Sequence, residues 1–158
     1  MAGACVITVS DRCSRGEAQD RSGPALAELL EAAGLPVVNR SVVPDEQPLV
    51  VDAVLAGIDA GAQLIVTTGG TGLGPRDVTP QAVASILDYE VPGIGEEMRR
   101  AGLAKTPSAM LSRSLAGVRG RALILCAPGS VAGATESLEA VLPALNHALR
   151  VLTGDPGH

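Results

Sequence analysis

The chain has 158 residues, of which 46% are hydrophobic, and carries a formal net charge of -5 at pH 7. This length suits one domain with one core, so we predict a single domain over residues 1–158. Leu, Val, Ile and Ala must fill that core, because the chain has no Phe or Trp and only one Tyr. The negative charge and the lack of aromatic side chains argue against nucleic acid as a partner, since that binding depends on Lys, Arg and aromatic stacking.

The cysteines and the hydropathy pattern indicate a cellular compartment. Cys5, Cys13 and Cys126 are scattered and show no metal-ligand spacing, which predicts reduced thiols in a reducing environment. No apolar run approaches the roughly 20 residues of a membrane helix. The N-terminal residues also lack the basic and long apolar regions of a signal peptide. We therefore expect a cytoplasmic protein that does not interact with membranes.

The first predicted unit is a strand, a loop and a helix. Residues 4–11 form an apolar, β-branched run that ends in the polar residues Ser10 and Asp11. Residues 22–34 then predict a helix that ends at Gly34, since glycine is the preferred residue just past a helix C-terminus. The loop between them follows the carboxyl end of the strand.

The second unit repeats this order. Residues 36–44 predict a strand, and residues 45–61 predict a helix with Pro48 in its first turn. Asp45 fits the N-cap of that helix, a position that favours aspartate. The same residue also follows the carboxyl end of a strand, so a structural role and a functional role both remain open for it.

The third unit contains the most informative segment of the chain. Residues 63–68 predict a short buried strand, which opens into TTGGTGLGPRD at residues 67–77. Glycines permit sharp turns, and a run of backbone N–H groups can hold an anion beside an aspartate that holds a cation. Alternatively, the glycines only form the turn, while Asp77 pairs with Arg76 or caps the next helix.

Two familiar phosphate-binding motifs do not fit this glycine-rich segment. A P-loop requires a lysine, and the single lysine of the chain is Lys105. The dinucleotide fingerprint GxGxxG is half met, because Gly70 and Gly72 fit but Pro75 stands where the third glycine belongs. The segment therefore needs another explanation.

The rest of the chain predicts further helices and one more strand. Thr79 can cap a helix that has Pro80 at its first position, and a fourth helix is expected within residues 93–104. Residues 106–120 fit either a short helix or a strand, and both alternatives stay open.

The last predicted unit closes the domain. Residues 121–130 predict a buried strand followed by a loop that contains Pro128, Gly129 and Ser130. Residues 132–152 predict a final helix, which Pro143 should kink or interrupt because proline lacks the N–H that the helix needs.

Strands that alternate with helices predict an α/β fold with a mainly parallel sheet covered on both faces. Ligands of such sheets bind beyond the carboxyl ends of the strands. Three loops should therefore meet there, those at residues 10–11, 69–77 and 128–130. Asp45 and Asp77 on the same rim are consistent with a metal-assisted phosphoryl or nucleotidyl transfer site.

Five segments together resemble one known family. TTGGTGLGPRDVTPQA, VVPDEQ, SDRCSRGEAQDRSGPAL, TPSAMLSRSLAGVRG and LPALNHAL are similar to the MogA/MoaB family of molybdenum cofactor biosynthesis, which includes the G domains of gephyrin. The resemblance runs from about residue 4 to residue 152. GGTG followed by PRDVTP after a strand, with PDE upstream, is a far more specific signature than a lone glycine motif.

The resemblance implies a three-layer α/β/α sandwich, usually a homotrimer, that binds molybdopterin. MogA-type members use Mg²⁺ and ATP to adenylylate the molybdopterin phosphate with release of pyrophosphate. Their product passes to a molybdenum-insertion protein of the MoeA type. The resemblance thus implies a molybdopterin adenylyltransferase with ATP and molybdopterin as substrates.

The family's functional residues can be placed on this sequence. Asp45 and Asp77 match its essential aspartates, and we expect them to be the catalytic residues that bind Mg²⁺ and ATP. Further residues are expected to bind the substrates from the glycine loop, from the MLSRS segment associated with the pterin pocket, and from the other two loops. They are Ser10, Asp11, Gly69, Gly70, Thr71, Gly72, Ser112, Arg113, Pro128, Gly129 and Ser130.

One segment departs from the adenylylating pattern. Many adenylylating relatives have PGNP or PGxP after the last strand, whereas this chain has APGSVAG at residues 127–133, which is closer to MoaB members. The GPRDVTP segment is MogA-like and carries Asp77. Two alternatives to the enzyme therefore remain, a noncatalytic pterin-binding or scaffold protein and a nucleotide-binding protein with another phosphorylated substrate.

Overall fold

The fold is an alternating series of strands and helices, and the structure, a computed structural model, describes residues 2–155. The strands within this range are β1 (Ala4–Val9), β2 (Val37–Val43), β3 (Leu64–Thr68), β4 (Tyr89–Glu90), β5 (Ala116–Arg119) and β6 (Ala122–Ala127). The helices are α1 (Asp11–Ser14), α2 (Ser22–Ala32), α3 (Gln47–Asp59), α4 (Thr79–Ala84), α5 (Pro92–Leu103) and α6 (Val131–Leu152). A 3-10 helix spans Pro107–Leu111.

The strands form one sheet in the order β2-β1-β3-β6-β5-β4. The first four of these are parallel to their neighbours, while β5 and β4 continue the sheet antiparallel. The predicted mainly parallel sheet is confirmed. Residues 106–120, which fitted a helix or a strand, contain both the 3-10 helix and the antiparallel strand β5.

Helices cover both faces of the sheet. Alternate side chains of β1 enter two different cores, with Val6 on one face and Cys5 and Ile7 on the other. The first core is completed by side chains of α2, α5 and α6, and the second by side chains of α3 and α4. β1, β3 and β6 are buried along their whole length, as expected for central parallel strands. The three-layer α/β/α sandwich is therefore confirmed.

Two predicted helix caps are wrong. Asp45 is not the N-cap of α3, because Glu46 occupies that position and makes no side-chain cap hydrogen bond. Thr79 is the first residue of α4 rather than its cap, and Val78 takes the cap position. Both polar side chains instead make contacts between loops at the carboxyl end of the sheet, and these contacts build the site described below.

The structure also constrains two predictions about the helices. α6 is continuous over 22 residues and includes Pro143, so the predicted interruption is wrong. No helix within residues 2–155 is both long enough and apolar enough to cross a membrane.

Pro143 gives a stability prediction. It is exposed inside α6, where proline is about 3 kcal/mol less favourable than alanine. Proline also restricts the unfolded chain, which offsets part of this cost. We expect Pro143→Ala to raise the free energy of unfolding by about 1–2 kcal/mol, measured by urea denaturation. An unchanged or lowered denaturation midpoint would contradict this expectation.

Candidate functional site

The loops after the parallel strands meet around a cavity of about 450 Å³. This phosphate cavity, as we name it, brings together residues from four loops that are distant in the sequence. The predicted site residues among its lining are Ser10, Asp45, Gly69, Gly70, Asp77, Gly129 and Ser130.

The glycine loop begins with two residues in the left-handed region. Gly69 has φ +103° and Gly70 has φ +69°, a region that glycine adopts without steric cost. A Cβ on Gly69 would clash with the backbone carbonyl oxygen of Val9, and one on Gly70 would clash with the Thr79 hydroxyl. That hydroxyl donates to the Gly69 carbonyl oxygen at 2.8 Å, and the Thr79 amide donates to Gly70 O at 3.1 Å. Thr79 thus fixes the loop turn.

Gly69→Ala should be more destabilising than an equally strained control. Gly61 has φ +98° and open space around its Cβ position, so Gly61→Ala introduces backbone strain of about 1–2 kcal/mol and no clash. Gly69→Ala adds the clash with Val9, and we expect it to lower the free energy of unfolding by about 3 kcal/mol or more. Chemical denaturation of both variants checks the difference. Equal losses would show that the close approach to Val9 does not matter.

Asp45 is held by the loop after β1. The Asp11 amide donates to Asp45 Oδ2 at 2.9 Å, and the Asp45 amide donates to Asp11 Oδ1 at 3.0 Å. Arg76 donates to both carboxylate oxygens of Asp11, each at 3.0 Å. The alternative pairing of Arg76 with Asp77 is therefore not formed, and Asp11 connects the Asp45 loop to the glycine loop.

These contacts have opposite electrostatic effects on the two carboxyl groups. The hydrogen bonds from Arg76, followed by the bond from the Asp45 amide, hold the pKa of Asp11 below its usual value. Burial raises the pKa of Asp45, and the negative charges of Asp11 and Asp77 raise it further. Ionisation of Asp45 is thus less favourable here than in water, and a bound cation would offset that cost.

Asp77 lines the same cavity from the C-terminal end of the glycine loop. Its Oδ2 accepts a hydrogen bond from the Gly74 amide at 2.8 Å, so it stabilises the loop and does not cap α4. A Cβ on Gly72 would lie 3.0 Å from the same oxygen, and one on Gly70 would lie 3.0 Å from Asp45 Oδ1. Both carboxylates therefore border the glycine loop.

The donor set fits a magnesium ion that is bound partly by substrate. Asp45 Oδ1 and Asp77 Oδ1 accept no hydrogen bond within residues 2–155. Mg²⁺ prefers oxygen ligands and commonly combines one or two carboxylates with phosphate oxygens and water. Residues 2–155 contain no group of three or more His, Cys, Asp or Glu side chains arranged to hold a metal alone. Any ion here would need substrate or water oxygens to complete its coordination.

The loop after β6 leads into the N-terminus of α6 at the edge of the phosphate cavity. Ser130 caps α6, and its Oγ accepts from the Gly133 amide at 3.0 Å. Gly129 packs tightly on the glycine loop, because a Cβ there would lie 3.2 Å from Gly69 Cα. Pro128 O accepts from the Thr68 hydroxyl at 2.7 Å. These contacts direct the N-terminus of a 22-residue helix toward the phosphate cavity, and such termini favour anions.

A second cavity of about 380 Å³ lies on the other side of the glycine loop. This cavity, which we name the substrate cavity, is lined by Thr71, Gly72, Ser112, Pro128 and Ser130, all of them predicted site residues. Because Ser130 lines both cavities, a ligand in one lies beside a ligand in the other.

Sequence reasoning missed several residues of these cavities. Arg21, the basic residue of the phosphate cavity, was only part of the quoted SDRCSRGEAQDRSGPAL segment. Arg99, Lys105 and Glu136 line the substrate cavity from α5, the turn after it and α6. A charged residue on a helix does not by itself indicate a role in lining a cavity, because most such residues face solvent.

Two of the three cysteines, Cys5 and Cys126, are buried and poorly suited to covalent catalysis. Burial raises the pKa of the Cys126 thiol to about 12, so it stays protonated and is a poor nucleophile at neutral pH. Cys5 is also buried, with a raised pKa. Cys13 lines the phosphate cavity as a free thiol.

The fold and the paired carboxylates around a glycine loop define an α/β protein with a site suited to phosphorylated ligands. The profile of one protein family, described as "Probable molybdopterin binding domain", matches residues 5–147. The chain belongs to this family of molybdenum cofactor biosynthesis, as its resemblance to MogA and MoaB implied.

Individual relatives agree over nearly the whole chain. The molybdopterin adenylyltransferase of Helicobacter pylori is 38% identical over 95% of this chain and 87% of its own length. The crystal structure of the molybdopterin biosynthesis enzyme MoaB from Thermus thermophilus is 52% identical, covers 100% of both chains and has a TM-score of 0.93. The molybdenum cofactor biosynthesis bifunctional protein of Chlorobaculum tepidum is 42% identical over 97% of this chain. This chain spans about half of that bifunctional relative, 49% of its length.

Proposed function

We propose that this protein is a molybdopterin adenylyltransferase. A phosphate oxygen of molybdopterin attacks the α-phosphorus of ATP, the bond from that phosphorus to the bridging oxygen of the β-phosphate breaks, and pyrophosphate leaves. The observation that carries this proposal is the placement of Asp45 and Asp77 at the glycine loop, where two adjoining cavities can hold the two substrates. Relatives named molybdopterin adenylyltransferase at about 40% identity support it.

The two cavities suit the two substrates. The ATP phosphates would lie in the phosphate cavity, against the glycine loop amides and the N-terminus of α6, with Arg21 on its wall. Molybdopterin would occupy the substrate cavity, whose serine and threonine hydroxyls and apolar surface match a polar heterocycle. Its phosphate would then point toward Ser130, between the cavities. Positioning of this kind accounts for a large part of catalysis in phosphoryl-group transfer.

Asp45 and Asp77 would hold Mg²⁺. The ion would supply positive charge to the phosphate oxygens as charge develops on the leaving pyrophosphate. The protein contributes the two carboxylate oxygens that accept no hydrogen bond within residues 2–155 and the loop that fixes their separation. No covalent intermediate on the protein is required.

The test is pyrophosphate release by the purified protein with Mg-ATP, in the presence and absence of molybdopterin. Release that requires molybdopterin supports the adenylyltransferase. Pterin binding without release would favour the noncatalytic MoaB-type protein, which the APGSVAG segment at residues 127–133 motivates. Nucleotide binding with no preference for molybdopterin would indicate another phosphorylated substrate.

The assembly and the route of the product belong to the same proposal. We infer a cytoplasmic homotrimer that passes adenylylated molybdopterin to a MoeA-like molybdenum-insertion protein. Light scattering should then give three times the 15.9 kDa chain mass. A monomeric mass would contradict the trimer without affecting the assignment of the reaction.

A further inference from the structure

Arg113 lines neither cavity, but its side chain is hydrogen-bonded to Gly72 in the lining of the substrate cavity and to Asp77 in the lining of the phosphate cavity. It lies between the 3-10 helix and β5, and its neighbours Ser112 and Ser114 both line the substrate cavity. Its backbone amide donates to the Thr71 carbonyl oxygen at 2.9 Å. The main chain of this segment is therefore joined directly to the glycine loop.

The Arg113 guanidinium holds the glycine loop and Gln81 through three hydrogen bonds, a set of contacts that we name the clasp. Nε donates to Gly72 O at 2.8 Å, and Nη2 donates to Asp77 O at 2.7 Å. Nη1 donates to Gln81 Oε1 at 3.0 Å. The two carbonyl groups flank the tip of the loop at residues 73–76, so one planar fork fixes both ends of the tip. A lysine ammonium cannot span such separated acceptors with the same geometry.

The same segment is held from the opposite side by α5. Arg99 Nη1 donates to Ser114 O at 2.5 Å and lies 3.4 Å from Ser112 O. Arg99 itself lines the substrate cavity. A continuous series of hydrogen bonds thus runs from the wall of that cavity, through residues 112–114, to the backbone of Asp77.

We propose that Arg113 is a positioning residue that couples occupancy of the substrate cavity to the conformation of the glycine loop and Asp77. A ligand seated against Ser112 and Ser114 restricts this segment, and the guanidinium transmits the restriction to the loop that receives the nucleotide. The two ligands then bind more tightly together than separately, and the coupling is reciprocal. The identity of the ligands rests on the proposed function, whereas the clasp itself does not. The direct pterin contact that the resemblance implied for Arg113 stays a prediction, and the positioning role is proposed beside it.

Hydrogen exchange of residues 69–79 tests the clasp without any catalytic activity. We expect Arg113→Ala and Arg113→Lys to accelerate exchange in this peptide, and molybdopterin to slow exchange in the wild-type protein and in Arg119→Ala but not in the Arg113 variants. Arg119→Ala is the matched control, since Arg119 donates one hydrogen bond to the Ile86 carbonyl at 2.9 Å and is not part of either cavity lining. Unchanged exchange in both Arg113 variants would overturn the proposal.

Calorimetry with a nonhydrolysable ATP analogue tests the coupling. Molybdopterin should tighten nucleotide binding by about 5-fold or more in the wild-type protein and in Arg119→Ala. Arg113→Lys should abolish this effect and lower kcat more than it raises KM. Added guanidinium ion should partly restore the activity of Arg113→Ala, but not that of Asp77→Asn. Retained coupling in Arg113→Lys would overturn the proposal.

Failure of the proposed function gives a different pattern. If the wild-type protein binds neither molybdopterin nor ATP, the assignment of substrates is wrong. The exchange comparison of unliganded Arg113 variants with Arg119→Ala still decides whether Arg113 fixes the loop.

Discussion

Asp77→Asn should lower molybdopterin-dependent pyrophosphate release by about 100-fold or more, the cost typical of losing one strong electrostatic contact in a transition state. Asparagine keeps an oxygen that can accept from the Gly74 amide, as Asp77 Oδ2 does at 2.8 Å. The loop geometry is therefore preserved while the negative charge is lost. The measurement is the initial rate of pyrophosphate release at saturating Mg-ATP and molybdopterin.

Asp88→Asn is the matched control for this prediction. Asp88 Oδ2 accepts a hydrogen bond from the Gly120 amide at 2.7 Å, so this carboxylate also holds a glycine turn, but it lines neither cavity. We expect Asp88→Asn to retain wild-type activity, and Asp77→Asn to retain binding of molybdopterin. Activity of Asp77→Asn within about twofold of the wild-type rate would show that its charge has no part in the reaction.

The central strands and the loops that follow them could be predicted because their signals are local. β3 and β6 are fully buried β-branched or apolar runs, and a glycine follows each of them within two residues. Parallel strands bring their carboxyl ends together, so topology alone placed Ser10, Gly69 and Gly129 at one cavity. This part of the site needed no side-chain geometry.

The short elements carried too little signal. β4 has two residues and α1 has four, which is too short for an amphipathic pattern to repeat. β5 contains Gly117, a residue that weakens a strand prediction, yet a Cβ there would lie 2.6 Å from Tyr89 O. Close packing against β4 requires this glycine, and only the assembled sheet reveals it.

The contacts around the two loop carboxylates, Asp45 and Asp77, join residues that are distant in the sequence. Arg76 and Asp77 are adjacent, which suggested an ion pair, but Arg76 binds Asp11, 65 positions away. Arg113 reaches Gly72 across 41 positions. A single sequence contains the residue types but not their separations in space, so Asp45 could be placed on the correct rim while its partner could not.

Asp45→Asn should stabilise the unliganded protein and abolish activity. Burial and the charges of Asp11 and Asp77 raise the pKa of Asp45 above its ordinary value of 3.8. A carboxyl group with a raised pKa binds its proton more tightly in the folded state than in the unfolded state. The stability that protonated Asp45 contributes is therefore lost as the pH rises from its pKa in the unfolded protein through its raised pKa in the folded protein. Above that window, the ionised group destabilises the fold, and asparagine removes this cost.

Urea denaturation of wild type and Asp45→Asn between acidic and neutral pH isolates the effect, because other titrating groups contribute to both proteins. The variant should unfold at higher urea than wild type at neutral pH, and the difference should shrink as the pH falls. Mg-ATP at about 100 times its Kd should stabilise the wild-type protein by about 2.7 kcal/mol and the variant much less, since a ligand for the cation is lost. A variant that is less stable at neutral pH and still gains the full stabilisation by Mg-ATP would show that Asp45 is a structural residue. The two arms together separate the cost of burying the carboxylate from the binding role that would justify it.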